Sequence, residues 1–376
     1  MKTTIYLMCA VFTTALSLSC FAQVQPKSKK VTELKYSGRI QAQWDGISSD
    51  GNTKEDRNHF YFRRLFLGGH AKMGENWGGD IVMDFAASPN SDSTVFIEGA
   101  SVWYQFDDSF RLDIGQLKVP FGMEETTSSS KLKAIERSAV NRQFAETIKF
   151  NARHTGLFAK GSLDNGFSYN LALVNSGQNH NSKDSGLKDG LYEYNNNELS
   201  YYGRLGYANY DSDIWYCFGV AAGLMETKES LANDFTAYNL YGNTGSGPIN
   251  LDVEWMRGTA DIPTGITDED HEGYSAQISY ALSNAPIGSW EFLYRYSTVK
   301  GTPAGSSLVS AKEIVRRANI VNSTVDDLNQ HYLGINYLFD GHDAKLMVGY
   351  EINDLNERGS QSSDASGFRA RVQYLF

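Results

Sequence analysis

The strongest constraint on this chain is a side-chain alternation of period two that recurs along almost its whole length. Phe368, Ala370, Val372, Tyr374 and Phe376 interleave with Arg369, Arg371 and Gln373. Successive side chains of a β-strand point to opposite faces, so one face of this segment is apolar and the other polar. The rhythm returns in Leu34, Tyr36, Gly38, Ile40, Ala42 and Trp44, in Trp77, Gly79, Ile81, Met83 and Phe85, and in Trp290, Phe292, Tyr294 and Tyr296. Strands are expected near 34–44, 59–71, 77–86, 95–106, 110–119, 152–162, 167–175, 199–208, 214–224, 235–242, 249–257, 273–282, 289–299, 331–339, 344–353 and 367–376.

The connections between these runs alternate short and long. Short ones lie at 107–109, 163–166, 209–213 and 340–343, and long ones at 45–58, 120–150, 176–198, 258–272, 300–330 and 354–366. Tight turns on one side and long loops on the other are the asymmetry of an outer-membrane barrel, with periplasmic turns and extracellular loops. The expected fold is therefore all-β: a single antiparallel transmembrane β-barrel of about sixteen strands, both termini periplasmic. Mean hydropathy is negative and no long apolar run follows the N-terminal stretch, which a barrel explains because only alternate residues meet lipid. The 22 Tyr suit aromatic girdles, and equally suit carbohydrate-binding β-proteins.

Met1-Lys2 followed by an apolar stretch to Ser19 and by Cys20-Phe21-Ala22 reads as a signal peptide over 1–22, removed after Ala22. Residues 23–33 read as a periplasmic tail and 34–376 as the barrel. Cys217 is then the one cysteine of the mature chain, which excludes an intrachain disulfide and a cysteine metal cluster. A formal net charge of −10 argues against a nucleic-acid partner.

The connection from Pro120 to Phe150 stands apart. Leu132, Ile135, Ala139 and Val140 fall at helical spacing, which predicts a short helix with Lys131, Arg137 and Arg142 on its other face and Lys133 near the edge. A loop this long and partly apolar must pack on something, and in a barrel the available place is the lumen. Lys131, Lys133, Arg137 and Arg142 are therefore the expected channel constriction on an inward-folded third extracellular loop.

Gly115-Gln116-Leu117-Lys118-Val119-Pro120-Phe121-Gly122, Ile135-Glu136-Arg137, Phe62-Arg63-Arg64-Leu65, Arg153-His154-Thr155-Gly156 and Gly334-Ile335-Asn336-Tyr337 are spread along nearly the whole mature chain. By these motifs the sequence resembles the phosphate-selective porin O and P family. The resemblance implies a sixteen-stranded barrel, usually trimeric, in a Gram-negative outer membrane. It implies an inward third loop and basic side chains that guide anions. It also implies contact with outer-membrane lipid and lipopolysaccharide. The final strand, with Tyr374 and Phe376, resembles the signal read by the barrel assembly machinery.

Strand parity turns Lys35, Arg39, Arg111, Arg204, Arg295, Lys345, Arg369 and Arg371 inward, and with them Asp80, Asp84, Asp113, Asp252, Glu254 and Glu291. Arg64, Lys118 and Arg153, on the family-like motifs, join Arg39, Arg111, Arg204, Arg295, Arg369 and Arg371 as expected pore-lining cations. Lys118 shares parity with Leu112 and Ile114, so the alternation breaks there or Lys118 sits at the lipid rim. The near balance of signs favours weak anion preference over phosphate specificity. The expected function is passive diffusion of small hydrophilic solutes, with inorganic phosphate or other small anions as partners, no cofactor and no enzyme activity. Two alternatives remain: a general or weakly cation-selective porin, and a secreted soluble β-rich carbohydrate-binding protein. The seven His show no metal-ligand spacing, and Asp268, Glu269, Asp270 and Glu272 read as a solvated acidic loop rather than a Ca²⁺ site. His154 beside Thr155 is the nearest approach to a catalytic pair.

Overall fold

The computed structural model describes residues 31–50, 57–86, 95–176, 198–226, 234–260, 269–282, 288–301, 309–315, 324–356 and 363–376. The expected signal peptide, most of the expected tail, and most of the expected loop at 176–198 lie outside the described residues. The wall opens with β1 (Val31–Ser49), β2 (Arg57–Met73), β3 (Trp77–Asp84), β4 (Phe96–Asp107) and β5 (Phe110–Lys118). It continues through β6 (Arg153–Ser162), β7 (Phe167–Asn175), β8 (Leu199–Asn209), β9 (Ile214–Met225) and β10 (Phe235–Ser246). After β11 (Ile249–Ala260), β12 (Glu269–Leu282) and β13 (Ser289–Gly301), the small hairpin of β14 (Val309–Ser310) and β15 (Thr324–Val325) interrupts the wall. The wall then finishes with β16 (Asp327–Asp340), β17 (Ala344–Asn356) and β18 (Ser363–Leu375). The sixteen long strands pair antiparallel in chain order and close into a barrel where β18 meets β1. A closed sheet leaves no open edge, which is what a strand structure in lipid requires.

Each expected run falls on one wall strand, and the strands run further at their extracellular ends than the alternation shows. The ladder continues through Asp45↔His59, Gly46↔Asn58 and Ile47↔Arg57, and through Gly258↔His271 to Ala260↔Glu269. Apart from Ile47 these residues are polar or small and display no apolar face, so their strand character comes from pairing. At the other end β1 begins at Val31, inside the expected tail, because Val31 pairs with Met73.

Alternation becomes a sorted wall. Leu251, Val253, Ile278, Ile335 and Val348 are among the exposed outward residues, while Gln41, Gln43, Asp45, Asn353, Arg369 and Arg371 are buried inward. Aromatic residues gather at the ends of the strands. Trp77 meets Tyr104 with ring centroids 4.9 Å apart, and Trp290 meets Tyr337 at 4.7 Å, both edge to face. At the seam, Gly38 N donates to Phe376 O at 2.7 Å, and the Phe376 ring lies over Gly38, where a Cβ would collide with it. Tyr374 faces outward, 54 % exposed.

Candidate functional site: a loop-narrowed lumen

The third extracellular loop leaves β5 at Val119 and returns to β6 at Arg153, and it folds into the lumen. Apolar side chains hold its root. Val119, Phe121, Val140, Phe144 and Phe150 are fully buried in one cluster with Tyr202, Phe235 and Met256 of the wall. Phe150 is the hub, with its ring centroid 4.9 Å from Phe121, 5.0 Å from Tyr202 and 5.2 Å from Phe235. Val309, Ile314, Val315 and Val325 from the β13–β16 connection join the same cluster. That connection, read from sequence as an ordinary long loop, therefore packs on the third loop.

The helix expected around 131–142 forms only at its end. The loop contains α1 (Met123–Thr126), α2 (Ala139–Arg142) and a π-helical turn over Gln143–Thr147, while residues 131–138 are irregular. The reason is competition for backbone groups. Lys345 Nζ donates to Leu132 O at 2.8 Å, Asn336 Nδ2 to Lys133 O at 2.8 Å, and Arg295 Nη1 to Glu136 O at 2.8 Å. Ile135 N donates to Tyr332 Oη at 3.2 Å. Wall side chains take the carbonyls and the amide that a helix would use internally. Tyr332 reaches its place by lying flat on Gly349, where a Cβ would collide with the ring.

Glu136 anchors the loop on the opposite wall. Its carboxylate accepts from Arg63 Nε at 2.9 Å, Arg371 Nη2 at 2.9 Å and Arg142 Nη1 at 2.8 Å. Burial pushes the Glu136 carboxyl up, but the three guanidiniums outweigh it and hold the group well below the ordinary carboxylate range. Nearby, Arg369 pairs with Asp45 at 2.9 Å and Glu351 at 3.2 Å, and Arg295 with Glu124 at 3.1 Å. The expectation that Arg142, Arg369 and Arg371 face the passage is thus corrected: they point inward, but each is almost completely buried where loop meets wall, whereas Arg295, as deeply buried, still borders a cavity beside the loop. A guanidinium in a low-dielectric site is retained beside carboxylates; the loop brings Glu124 to Arg295 and Glu136 to Arg142 and Arg371, and the wall itself supplies Asp45 and Glu351 to Arg369.

Beside the loop, one open space lies off axis along β1–β7. This cavity of about 520 Å³ is lined by Arg39, Arg63, Arg64, Lys118, Arg137, Arg153 and Lys160, against Asp80, Glu98, Glu125 and Glu146. Most of the cations are paired: Lys118 and Arg137 with Glu125 at 2.6 and 3.1 Å, Arg153 with Glu98 at 3.0 Å, Lys160 with Asp113 at 3.4 Å. Glu125, raised by burial, is brought below its ordinary value by Arg137 and Lys118. Two arginines differ. Arg39 bonds Ser129 Oγ at 2.5 Å and Ser128 Oγ at 3.2 Å, and Arg64 bonds Gln41 Oε1 at 2.8 Å; among the described residues neither pairs with a carboxylate.

Towards the periplasm, Arg204 donates to Tyr241 Oη and Thr126 Oγ1, both at 2.7 Å. Its guanidinium lies 4.3 Å from the Tyr241 ring centroid. Arg111 pairs with Asp113 at 2.6 Å over the Trp103 ring. Lys131 and Lys133 line a second cavity of about 560 Å³, where Lys133 pairs with Asp252 at 3.3 Å. The spaces share wall residues. Lys160 and Asn170 border both the first cavity and the periplasmic mouth, and Arg204 and Tyr241 border both the mouth and the second cavity.

Three residues on this path escape period-two reading. A bulge between Gln41/Arg64 and Ala42/Phe62 inserts Arg63 into β2, so Arg63 and Arg64 both reach the lumen. A bulge between Val82/Gly99 and Met83/Ile97 does the same for Glu98. Lys160 shares the inward parity of Phe158 and was legible. Lys118 reaches inward against its parity, at the end of a strand that carries Gly115 at φ +146°. His154 is buried inward while Thr155 faces out, so the pair does not form a catalytic arrangement. Among the described residues no group of His, Cys, Asp and Glu is disposed to hold a metal; Asp268 lies outside them.

Comparison with known proteins agrees with this geometry. Residues 34–198 and 223–376 match the family model described as phosphate-selective porin O and P. Porin O of Pseudomonas aeruginosa is 25% identical over 412 residues, covering 92% of this chain and 89% of its own. An anion-selective porin from Comamonas acidovorans superposes with a TM-score of 0.65 at 12% identity, over 92% of this chain and 99% of that one. The trimer form of OmpT from Vibrio cholerae gives 0.59 at 10% identity, over 92% and 99%.

Proposed function

This chain belongs to the phosphate-selective porin O and P family, an outer-membrane porin by fold and kinship, and on that premise we propose that its passage carries small anions, inorganic phosphate among them. The observation that carries the proposal is the lining of the off-axis cavity, where cations outnumber acids and Arg39 and Arg64 bond only neutral groups among the described residues. A ring of basic side chains in a narrow pore selects by field and close contact. A guanidinium held by serine and glutamine side chains keeps N–H donors for a phosphate oxygen, and its planar fork suits that partner. Solute passes down its gradient without covalent chemistry.

The same reading assigns the remaining parts. Residues 1–22 direct export and are removed, Tyr374 and Phe376 are read by the assembly machinery, and the barrel sits among outer-membrane lipid and lipopolysaccharide as a homotrimer. The OmpT trimer supports that last assignment by likeness of fold. The competing reading is a general porin, favoured by the pairing of Lys118, Arg137, Arg153 and Lys160 with acids.

Chloride conductance titrated with inorganic phosphate tests the proposal. Phosphate reduces chloride current through the natural protein and does so less in Arg39→Gln/Arg64→Gln. Equal currents with and without phosphate would leave the general porin.

A further inference from the structure

The outward face of β11, β12 and β13 carries an organised set of charges that the passage does not use. Near the extracellular ends of these strands, register places Arg257, Glu272 and Lys300 in one row. The Arg257 side chain is 51% exposed and that of Lys300 65%. Among the described residues each makes a single long carboxylate contact, Arg257 Nη2 to Asp270 Oδ2 at 3.4 Å and Lys300 Nζ to Glu272 Oε2 at 3.5 Å. The acids have closer neutral donors. Thr259 Oγ1 donates to Asp270 Oδ1 at 2.6 Å, Trp255 Nε1 to Glu272 Oε1 at 3.1 Å, and Asn356 Nδ2 to Asp327, the register neighbour of Lys300, at 2.6 Å. Neutral groups thus make the shorter contacts to the acids, and the two cations, held only at 3.4 and 3.5 Å, stay largely exposed.

Below this row the same strands change character. Tyr274 and Tyr296 come next, 5.8 Å apart, and then a depression of about 560 Å³ bordered by Ile278, Tyr280, Phe292, Tyr294, Leu333 and Ile335. From Lys300 to Tyr294 is roughly 20 Å of strand at about 3.4 Å per residue. With a barrel tilt of about 40° that is roughly 15 Å of depth, or half a hydrocarbon core of about 30 Å. The charged row therefore stands at headgroup height in the outer leaflet, and the depression lies at acyl-chain depth beneath it.

We infer that this face docks a phosphorylated, multiply acylated glycolipid of the outer leaflet, with its phosphates on Arg257 and Lys300 and one acyl chain in the depression. The inference rests on the outer-membrane reading and names the site at which lipid is held. Arg257 offers a bidentate fork and Lys300 a point charge. Asp270 and Glu272 between them suit the divalent cations that bridge neighbouring phosphates.

The test is native mass spectrometry of the purified full chain titrated with a bisphosphorylated glycolipid, its dephosphorylated form, and phosphatidylglycerol. The natural protein retains the bisphosphorylated glycolipid at least about tenfold better than either control, the factor for one charge-assisted contact. Arg257→Gln/Lys300→Gln loses that preference, and Leu333→Trp, which fills the depression, weakens retention of every lipid. Leu333→Trp carries the test alone if the double variant does not fold. Unchanged preference in the double variant, or equal retention of phosphatidylglycerol, would overturn the inference. A loss of oligomer in the double variant would also overturn it, by assigning this face to a second copy. Single-channel conductance is read in parallel: lipid preference without conductance would strike the porin reading and leave the docking site.

Discussion

Glu136 shows how one residue decides what its neighbours are for. It draws Arg63, Arg142 and Arg371 into a buried joint, while Arg39 and Arg64 on the adjoining strands stay with neutral partners and face the passage. Glu136→Ala leaves buried guanidiniums without their carboxylate and is expected to cost roughly 3–5 kcal/mol in urea unfolding of the purified barrel. Loop motion rises with it, seen as current noise. The sign of the pH effect follows from the lowered carboxyl. A carboxyl whose folded value is depressed contributes stability above its unfolded value of 4.5, and loses it as pH falls through the folded value. Noise in single-channel records is therefore flat from pH 7 to pH 5 and grows only in stronger acid; growth already at pH 6 would exclude Glu136 as the titrating anchor. Parity made Arg39, Arg111 and Arg204 legible from sequence. It could not show that Arg371 meets a loop carboxylate 235 positions away, because partner choice is set by closure of the barrel and not by local pattern.

At the scale of elements, the strands announced themselves and the third loop did so only in part. A half-exposed strand needs period two, and every wall strand has it. The loop's inward course was legible from its length and apolar content, but its conformation was not. Leu132, Ile135, Ala139 and Val140 keep helical spacing, yet Tyr332, Asn336 and Lys345 compete for the backbone between them. Bulges hid Arg63 and Glu98 for a related reason: one inserted residue shifts parity without changing composition. Phe150→Ala removes the hub of the apolar root and should destabilise the loop by roughly 3–5 kcal/mol. Since the barrel ladder does not depend on Phe150, the variant keeps its folded mobility on a gel while its conductance rises and its phosphate response weakens. Collapse of the whole barrel would contradict the separation of wall and loop.

For the whole molecule, a closed wall fixes the frame, and a loop packed against much of its inner face leaves lateral cavities beside it. On the proposed reading, solutes meet Arg153, Lys118 and Arg137, then Arg39 and Arg64, and leave past Lys160, Arg111 and Arg204. Because most of these cations carry acid partners, the same reading assigns selectivity to the few that do not. The measurement that tests this most directly is the reversal potential in a planar bilayer under a KCl gradient, natural protein against Arg39→Gln/Arg64→Gln. The account predicts an anion-favouring potential whose permeability ratio falls by roughly threefold to tenfold in the variant, the factor for about 0.7–1.4 kcal/mol of lost interaction. A cation-favouring potential in the natural protein, or one that the variant leaves unmoved, would contradict it.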